Sequence, residues 1–494
     1  MAIHRFPRLI GLVAAPLLAL LAAACTEDPE GPPKVVVIGP PPKMTDTRSA
    51  SLTPPDAVLL QNVAQGLVAM DGSGNVVAGL AERWNVSNDG LSYIFRIAPA
   101  TWTDGSKVTA EQVARSLRRQ LQGSSRNAMR DPLGAVSEII AMTDRVIEIQ
   151  LSAPRPNLLS LLAQPEMAIV RNGVGTGPFK LDGKSEAGAL RLERTVENVE
   201  TDETITEQVL LSGKPAGEAV ADFIAGKADL VLGGTFADLP IARQVKAPRN
   251  ALRFDPASGL FGLVPGGRGG RFATDEWRRL LGRAIDRNAF VVEVAVPGLA
   301  PRATLLEPGL DGIQAPAAPL WAAEPVADRR GVLAAEARRL IAGASEPPEV
   351  RILLPEGLGA ELLLRQLERD WSYLGLKVAR AKNAQGADFV LVDEVAPSAS
   401  PAWFARRFRC DLTPVCNPEV DELLKAARDA PVPAQRYALI GQAAALIDEG
   451  ALFLPIAAPI RWSLVGQRIE AFAPNRFARH SLVGLEQDRE ASAR

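Results

Sequence analysis

Histidine is almost missing from this sequence: His4 and His480 are the only two in 494 residues. A Ser-His-Asp or Cys-His relay would have to run through His480, and no Gly-x-Ser-x-Gly elbow is present to supply the nucleophile. An enzyme is therefore not expected. Clustered His and Cys of the kind that hold zinc or nickel are also missing, so neither a metal site nor a cofactor is expected. Gly173 to Gly177 lacks the lysine of a phosphate loop, and the run Pro265-Gly-Gly-Arg-Gly-Gly-Arg271 lacks the acidic follow-up of a dinucleotide site. Charge of one sign is lacking too. The chain has 55 Lys and Arg against 57 Asp and Glu, with the arginines scattered among acids, which argues against a nucleic-acid partner. Tyrosine occurs only three times. Beyond the amino-terminal leader no run is long and apolar enough to span a membrane.

That leader sets the compartment. Arg5 and Arg8 form a basic start, Leu9 to Leu21 an apolar stretch short for a bilayer span, and Ala22-Ala23-Ala24 a small-residue cleavage site before Cys25. Residues 1–24 read as a signal peptide, with Cys25 as the lipidation site of an exported lipoprotein and 25–33 as its tether. Leu21 stands four residues before the cysteine, where a lipobox prefers three. The rival reading is ordinary cleavage at Ala-x-Ala, leaving an unmodified Cys25. Either route leads to the periplasm or cell envelope. With Cys25 lipidated, Cys410 and Cys416 remain as an even pair across a five-residue loop turning at Pro414, and a disulfide is expected. The alternative is two buried thiols. About 470 residues follow the leader, more than one core ordinarily holds, so two or three lobes are expected.

Local patterns place several elements. Asn88-Asp89-Gly90 supplies the turn of a hairpin, flanked by Trp84 and Val86 on one side and by alternating Leu91, Tyr93, Phe95 and Ile97 on the other. Thr109 followed three residues later by Gln112 predicts a capping box, and Val113, Leu117 and Leu121 give the helix behind it one apolar stripe. Strands are predicted at Val35 to Ile38, Val146 to Leu151, Val209 to Leu211, Ala228 to Leu232, Lys377 to Arg380 and Phe389 to Val392. Helices are predicted at Glu276 to Ala284, Leu358 to Leu374, Glu419 to Ala430 and Ala434 to Glu449. The irregular alternation favours an α/β class over a solenoid or sandwich.

Four ordered signatures carry a resemblance. Gly79-Leu-Ala-Glu82 with Trp84, Asp89-Gly90, Trp102, Asp104-Gly105 and Thr109-Ala-Glu111 with Val113 form the first. Gly175-Thr-Gly-Pro-Phe179, Ala284-Ile-Asp-Arg287, and Asn417-Pro418 with Asp421 and Leu424 follow. Together they resemble the extracellular solute-binding proteins of ABC importers, family 5, the dipeptide and oligopeptide binder group. The resemblance implies a bilobal, periplasmic-binding-protein-like α/β fold (type II, Venus flytrap) with an inserted peripheral domain. It sets a first lobe of residues 34–56, 172–255 and 455–494, an inserted domain of 57–171 and a second lobe of 256–454. It also implies capture of a small-molecule or peptide-like ligand by a monomer, which delivers it to an ABC permease and its ATPase.

One departure stands out. The family pairs the α-amino group of a bound peptide with an aspartate in Trp-x-x-Asp-Tyr-x-Asp-Pro; aligned to Pro401, this chain has Glu394 for the tryptophan, Pro397 for that aspartate and Ser400 for the second. A buried ammonium without a countercharge costs several kcal/mol, roughly, so recognition of a free peptide amine is expected to be lost. Asp393 or Glu394 is a substitute, and strand alternation lets at most one of them face the cleft. Trp403 is a stacking surface or plain core. Arg268 and Arg271 can grip a carboxylate or phosphate as bidentate forks. These five are the candidate ligand-binding residues. A degenerate binder acting as an envelope sensor or interaction protein is the alternative to transport.

Overall fold

The computed structural model describes residues 31–102, 104–184, 188–197, 204–343 and 346–485. The leader, Cys25 and most of the tether lie outside the described residues. Apolar runs and alternating runs sort into different sheets. Val35, Val36 and Val37 have no polar alternation, as a strand covered on both faces requires. Lys34–Ile38 accordingly lies in the middle of a seven-stranded sheet, parallel to both Thr204–Lys214 and Leu230–Thr235. From one edge to the other the order is Leu252–Asp255, Arg461–Val465, Leu230–Thr235, Lys34–Ile38, Thr204–Lys214, Leu190–Glu197 and Lys180–Lys184. The predicted strand at Ala228 to Leu232 starts two residues later and runs to Thr235. Asp229 instead caps the first strand, its carboxylate accepting from the Lys34 N–H at 2.8 Å.

A second sheet of five strands runs Lys377–Arg380, Glu349–Leu353, Phe389–Val395, Gly259–Pro265 and Leu454–Ala457. Its last strand carries the chain past the expected border at 455 before Arg461–Val465 enters the first sheet. The fourth strand, Gly259–Pro265, is buried along its whole length. One apolar cluster is continuous between the two sheets, joining Val36, Val231 and Trp462 to Phe261, Phe389 and Trp371.

A third, four-stranded antiparallel sheet is built from Ala81–Val86, Ser92–Ile97, Val146–Leu151 and Val136–Thr143. Here the alternation read from sequence is real: Tyr93, Phe95 and Ile97 face in, and Ile94 and Arg96 face out. Gly90 takes the left-handed conformation at φ +69° that the turn needs. Thr109 and Gln112 close the predicted capping box on the helix Ala110–Leu121. This body joins the first sheet through the Gly175 to Phe179 signature. There the Phe179 N–H donates to the Asn62 carbonyl at 3.0 Å. A Cβ on Gly177 would lie 2.5 Å from that oxygen, which is why a glycine stands there.

Helices that pack on the second sheet include Asp275–Ala284, Leu358–Ser372, Pro401–Arg406, Pro418–Asp429 and Pro433–Glu449. Cys410 and Cys416 are joined in a disulfide between the third and fourth of these, with Cα atoms 5.1 Å apart. The proline-rich stretch before them is irregular, and Asp448 anchors it by accepting from the Leu305 N–H at 2.9 Å. Burial pushes the Asp448 carboxyl from 3.8 up to about 7, and Asp370 is raised in the same way to about 6. The native state therefore keeps the Asp448 proton between these two pH values while the unfolded chain has released it. Stability is lost as pH rises from about 4 to about 7. Asp448→Asn keeps the oxygen acceptor and cannot ionise. Thermal melts are expected to show it a few degrees more stable than the native chain at pH 8 and indistinguishable near pH 4; equal melts at pH 8 would contradict this.

Candidate functional site

The strand Phe389–Val395 runs out into Ala396–Ser400, a buried segment that turns into the helix Pro401–Arg406. This is where the resemblance places the amine-binding aspartate, and the position is occupied by Pro397. Having no acid to offer, the segment presents backbone and hydroxyl groups, and the body that holds the four-stranded sheet meets them directly. Gln164 donates to the Pro397 carbonyl at 3.0 Å, and Asn157 donates to the Ser398 hydroxyl at 3.0 Å. Asp131 accepts from Arg406 and from Arg409, both at 2.8 Å. Burial pushes the Asp131 carboxyl up, and the two guanidiniums more than reverse this, holding it below the usual carboxylate range.

Inside this seam lies a cavity of about 90 Å³, room for a few waters or one carboxylate-sized group. Its walls include Arg155 and Asn157 on one side and Ser398, Trp403, Arg428 and Arg436 on the other. Arg155 is only 7% exposed. Its guanidinium donates to two carbonyls, Pro154 at 2.9 Å and Arg428 at 3.2 Å. Arg436 donates to the same Pro154 carbonyl at 3.0 Å, and its buried Nε has no partner. Among the described residues no carboxylate pairs with either. Burial first, and then the fields of Arg436 and Arg428, push Arg155 down to about 10. One buried and one half-buried cation, neither paired with a carboxylate, line a cavity whose one acid, Asp131, is already taken by Arg406 and Arg409, an arrangement that suits an anion.

Where the chain crosses between the two sheets a different set of charges is fully engaged. Arg461 reaches Asp393 at 2.8 Å, the two side chains being 16% and 15% exposed. His480 contacts Asp255 at 3.2 Å and stacks on Phe472, so this histidine is a structural element of the crossing. Ser258 donates to the buried Glu307 carboxylate, and its carbonyl accepts from the Ala396 N–H at 2.8 Å.

The five candidate residues are not brought together. Trp403 lines the seam cavity, 8% exposed and edge-on to Phe404. Asp393 faces inward but is consumed by Arg461. Glu394, on the opposite face of the strand, is exposed with Arg407 at 3.8 Å. Arg268 donates through Nη1 to the protein's own Asp388 at 2.8 Å, and Arg271 is exposed at the start of a short turn. Sequence reasoning missed Arg155 and Arg436. The one local signal was Arg155 fixed between Pro154 and Pro156; nothing local pointed to Arg436.

Comparison with known proteins gives a consistent result. The family model described as bacterial extracellular solute-binding proteins, family 5 Middle, matches residues 75–350. The probable di/tripeptide-binding protein 5 of Pseudomonas aeruginosa (strain UCBPP-PA14) is 24% identical over 533 residues, covering 95% of this chain and 96% of its own. Among solved structures, Haemophilus influenzae OppA in complex with RPPGFSPFR superposes with a TM-score of 0.76 at 17% identity, over 91% of this chain and 98% of that one. AgaA from A. tumefaciens R10, in complex with agropinic acid, gives 0.70 at 19% identity, over 92% and 98%. The fold is that of the bilobal type II periplasmic binding proteins.

Proposed function

From the premise that this chain belongs to family 5 of the bacterial extracellular solute-binding proteins of ABC importers, we propose that it captures a solute bearing an anionic group and closes around it. It is a binder and not an enzyme. In this reading residues 34–56, 172–255 and 458–494 form the first lobe, 57–171 the inserted domain and 256–457 the second lobe, the last border moved to where the second sheet's final strand ends. Cys25 carries the lipid that holds the protein at the membrane, and the monomer hands its cargo to an ABC permease and ATPase.

The observation that carries this reading is the pair Arg155, buried, and Arg436, half-buried, which line the seam cavity with Ser398 and pair with no carboxylate among the described residues. They come from opposite sides, so an anion between them is bound only when the seam is shut. Differential affinity of this kind sets the closed population. Peptide binding recurs among the relatives, and the AgaA complex holds an acid. A peptide seated here would offer its carboxylate rather than its amine.

Native mass spectrometry of gently purified protein tests this. The expected adduct carries a carboxylate or phosphate, and adding it back at about 100 times its dissociation constant stabilises the fold by about 2.7 kcal/mol. Recovery of a peptide whose carboxyl terminus is amidated and whose binding needs a free amine would sink the reading.

A further inference from the structure

The two bodies that meet at the seam keep separate apolar cores. One holds Phe95, Leu133 and Ile147, the other Phe404, Phe408 and Val420, and no apolar cluster of the described residues joins them. The two larger sheets differ in this, since they share a core. A seam without a common core can part without exposing one, so its polar contacts decide whether it stays shut.

Charge opposes closure there. Five guanidiniums line the seam cavity, those of Arg155, Arg406, Arg409, Arg428 and Arg436, and Asp131 is the one carboxylate among the described residues that does so. Asp131 stands two residues before Leu133 of the first core and accepts from Arg406 and Arg409 of the other body, both at 2.8 Å. The hydrogen bonds that Gln164, Asn157, Arg155 and Arg436 make across the seam all end on a carbonyl or a hydroxyl.

Arg409 is aimed from within its own body. Its Nε and Nη2 donate to Asp411 at 3.0 Å each, which leaves Nη1 for Asp131. Asp411 lies in the loop that the Cys410–Cys416 disulfide closes, and the Cys410 N–H donates at 3.1 Å to Asp421 in the first turn of the helix Pro418–Asp429. None of these anchors is lost when the seam parts. We propose that Asp131, Arg406 and Arg409 form a clasp that holds the seam shut in the empty protein. Their side chains are 37%, 24% and 18% exposed, wet enough for dissolved salt to screen them. Without Asp131, five cations line the seam with no acid among them. The clasp rests on the closure proposed above and not on the anionic solute. An amine-dependent peptide would sink that solute and leave the clasp standing.

Small-angle X-ray scattering of the mature chain, stripped of solute by unfolding and refolding, tests this. The native protein is expected to be compact in about 0.1 M NaCl and to show a larger radius of gyration in about 1 M, where the screening length falls from about 10 Å to about 3 Å. Asp131→Asn is expected to show the larger radius at both salt concentrations, with an unchanged circular dichroism spectrum. Asp131→Arg alone is expected to be expanded as well. Adding Arg406→Asp to it puts the opposite charges back in exchanged places and is expected to restore the compact form at low salt, which a merely structural role for Asp131 would not do. The proposal fails on any of three results: a native radius that salt leaves unchanged, Asp131→Asn as compact as the native chain at low salt, or an exchanged pair as expanded as Asp131→Arg.

Discussion

Replacing Arg155 with methionine is expected to raise the melting temperature of the ligand-free protein and to remove its response to the captured solute. The two effects have one origin. Arg155 is buried in the seam with Arg436 and Arg428 for neighbours and only carbonyls for partners, and burial has already pulled it down to about 10. Methionine keeps most of the stem's packing and removes the unmatched charge. Against this the Arg428 carbonyl loses a hydrogen bond, worth about 1 kcal/mol, while an unpaired buried charge costs several. The empty protein gains. The liganded protein loses a charge-assisted contact worth roughly 2–5 kcal/mol, a weakening of about thirtyfold to several thousandfold. Scanning fluorimetry with and without solute reads both. A variant that melts lower when empty and still binds normally would show that Arg155 is only a brace.

The second large effect is expected at the crossing between the sheets. Arg461→Ala strands the Asp393 carboxylate, 15% exposed, in a site built for an ion pair. Removing one partner of such a pair costs about 3–5 kcal/mol, which denaturant unfolding measures directly. The double change Asp393→Leu with Arg461→Met is expected to recover most of the loss, because well-packed apolar groups replace a buried pair at little cost. Glu394→Ala, one residue along, is expected to move stability by less than about 0.5 kcal/mol, its contact with Arg407 being long and exposed. Equal losses at 393 and 394 would contradict the burial that separates them.

The difference between those neighbours shows how far the sequence could be read. Strand alternation puts Asp393 and Glu394 on opposite faces and allows at most one of them to face a cleft. It could not say that the inward one would meet Arg461, 68 residues away. The same limit applies to Arg268, an apparently free fork in a glycine-rich loop. Its partner Asp388 lies 120 residues on, and only the pairing of Gly259–Pro265 with Phe389–Val395 brings them together. Arg278 is a further case: its helix was legible from Trp277, Leu280, Leu281 and Ala284. Yet the arginine itself is 3% exposed, because the Gly450 and Ala451 carbonyls receive it.

What the amino-acid sequence determined by itself was the repertoire. The scarcity of histidine excluded a relay, and period-two and helical runs placed the elements. The turn at Gly90, the cap at Thr109 and the glycines before Phe179 fixed the local geometry. All of these act within a few residues, through dihedral preference and side-chain direction. Which charges are satisfied and which are left waiting was decided only by the tertiary structure. Asp131 meets Arg406 across 275 residues and Arg155 meets the Arg428 carbonyl across 273, so neither is encoded in any local spacing. Burial and countercharge are properties of packed surfaces, and a site made of unmatched cations exists only once those surfaces have met.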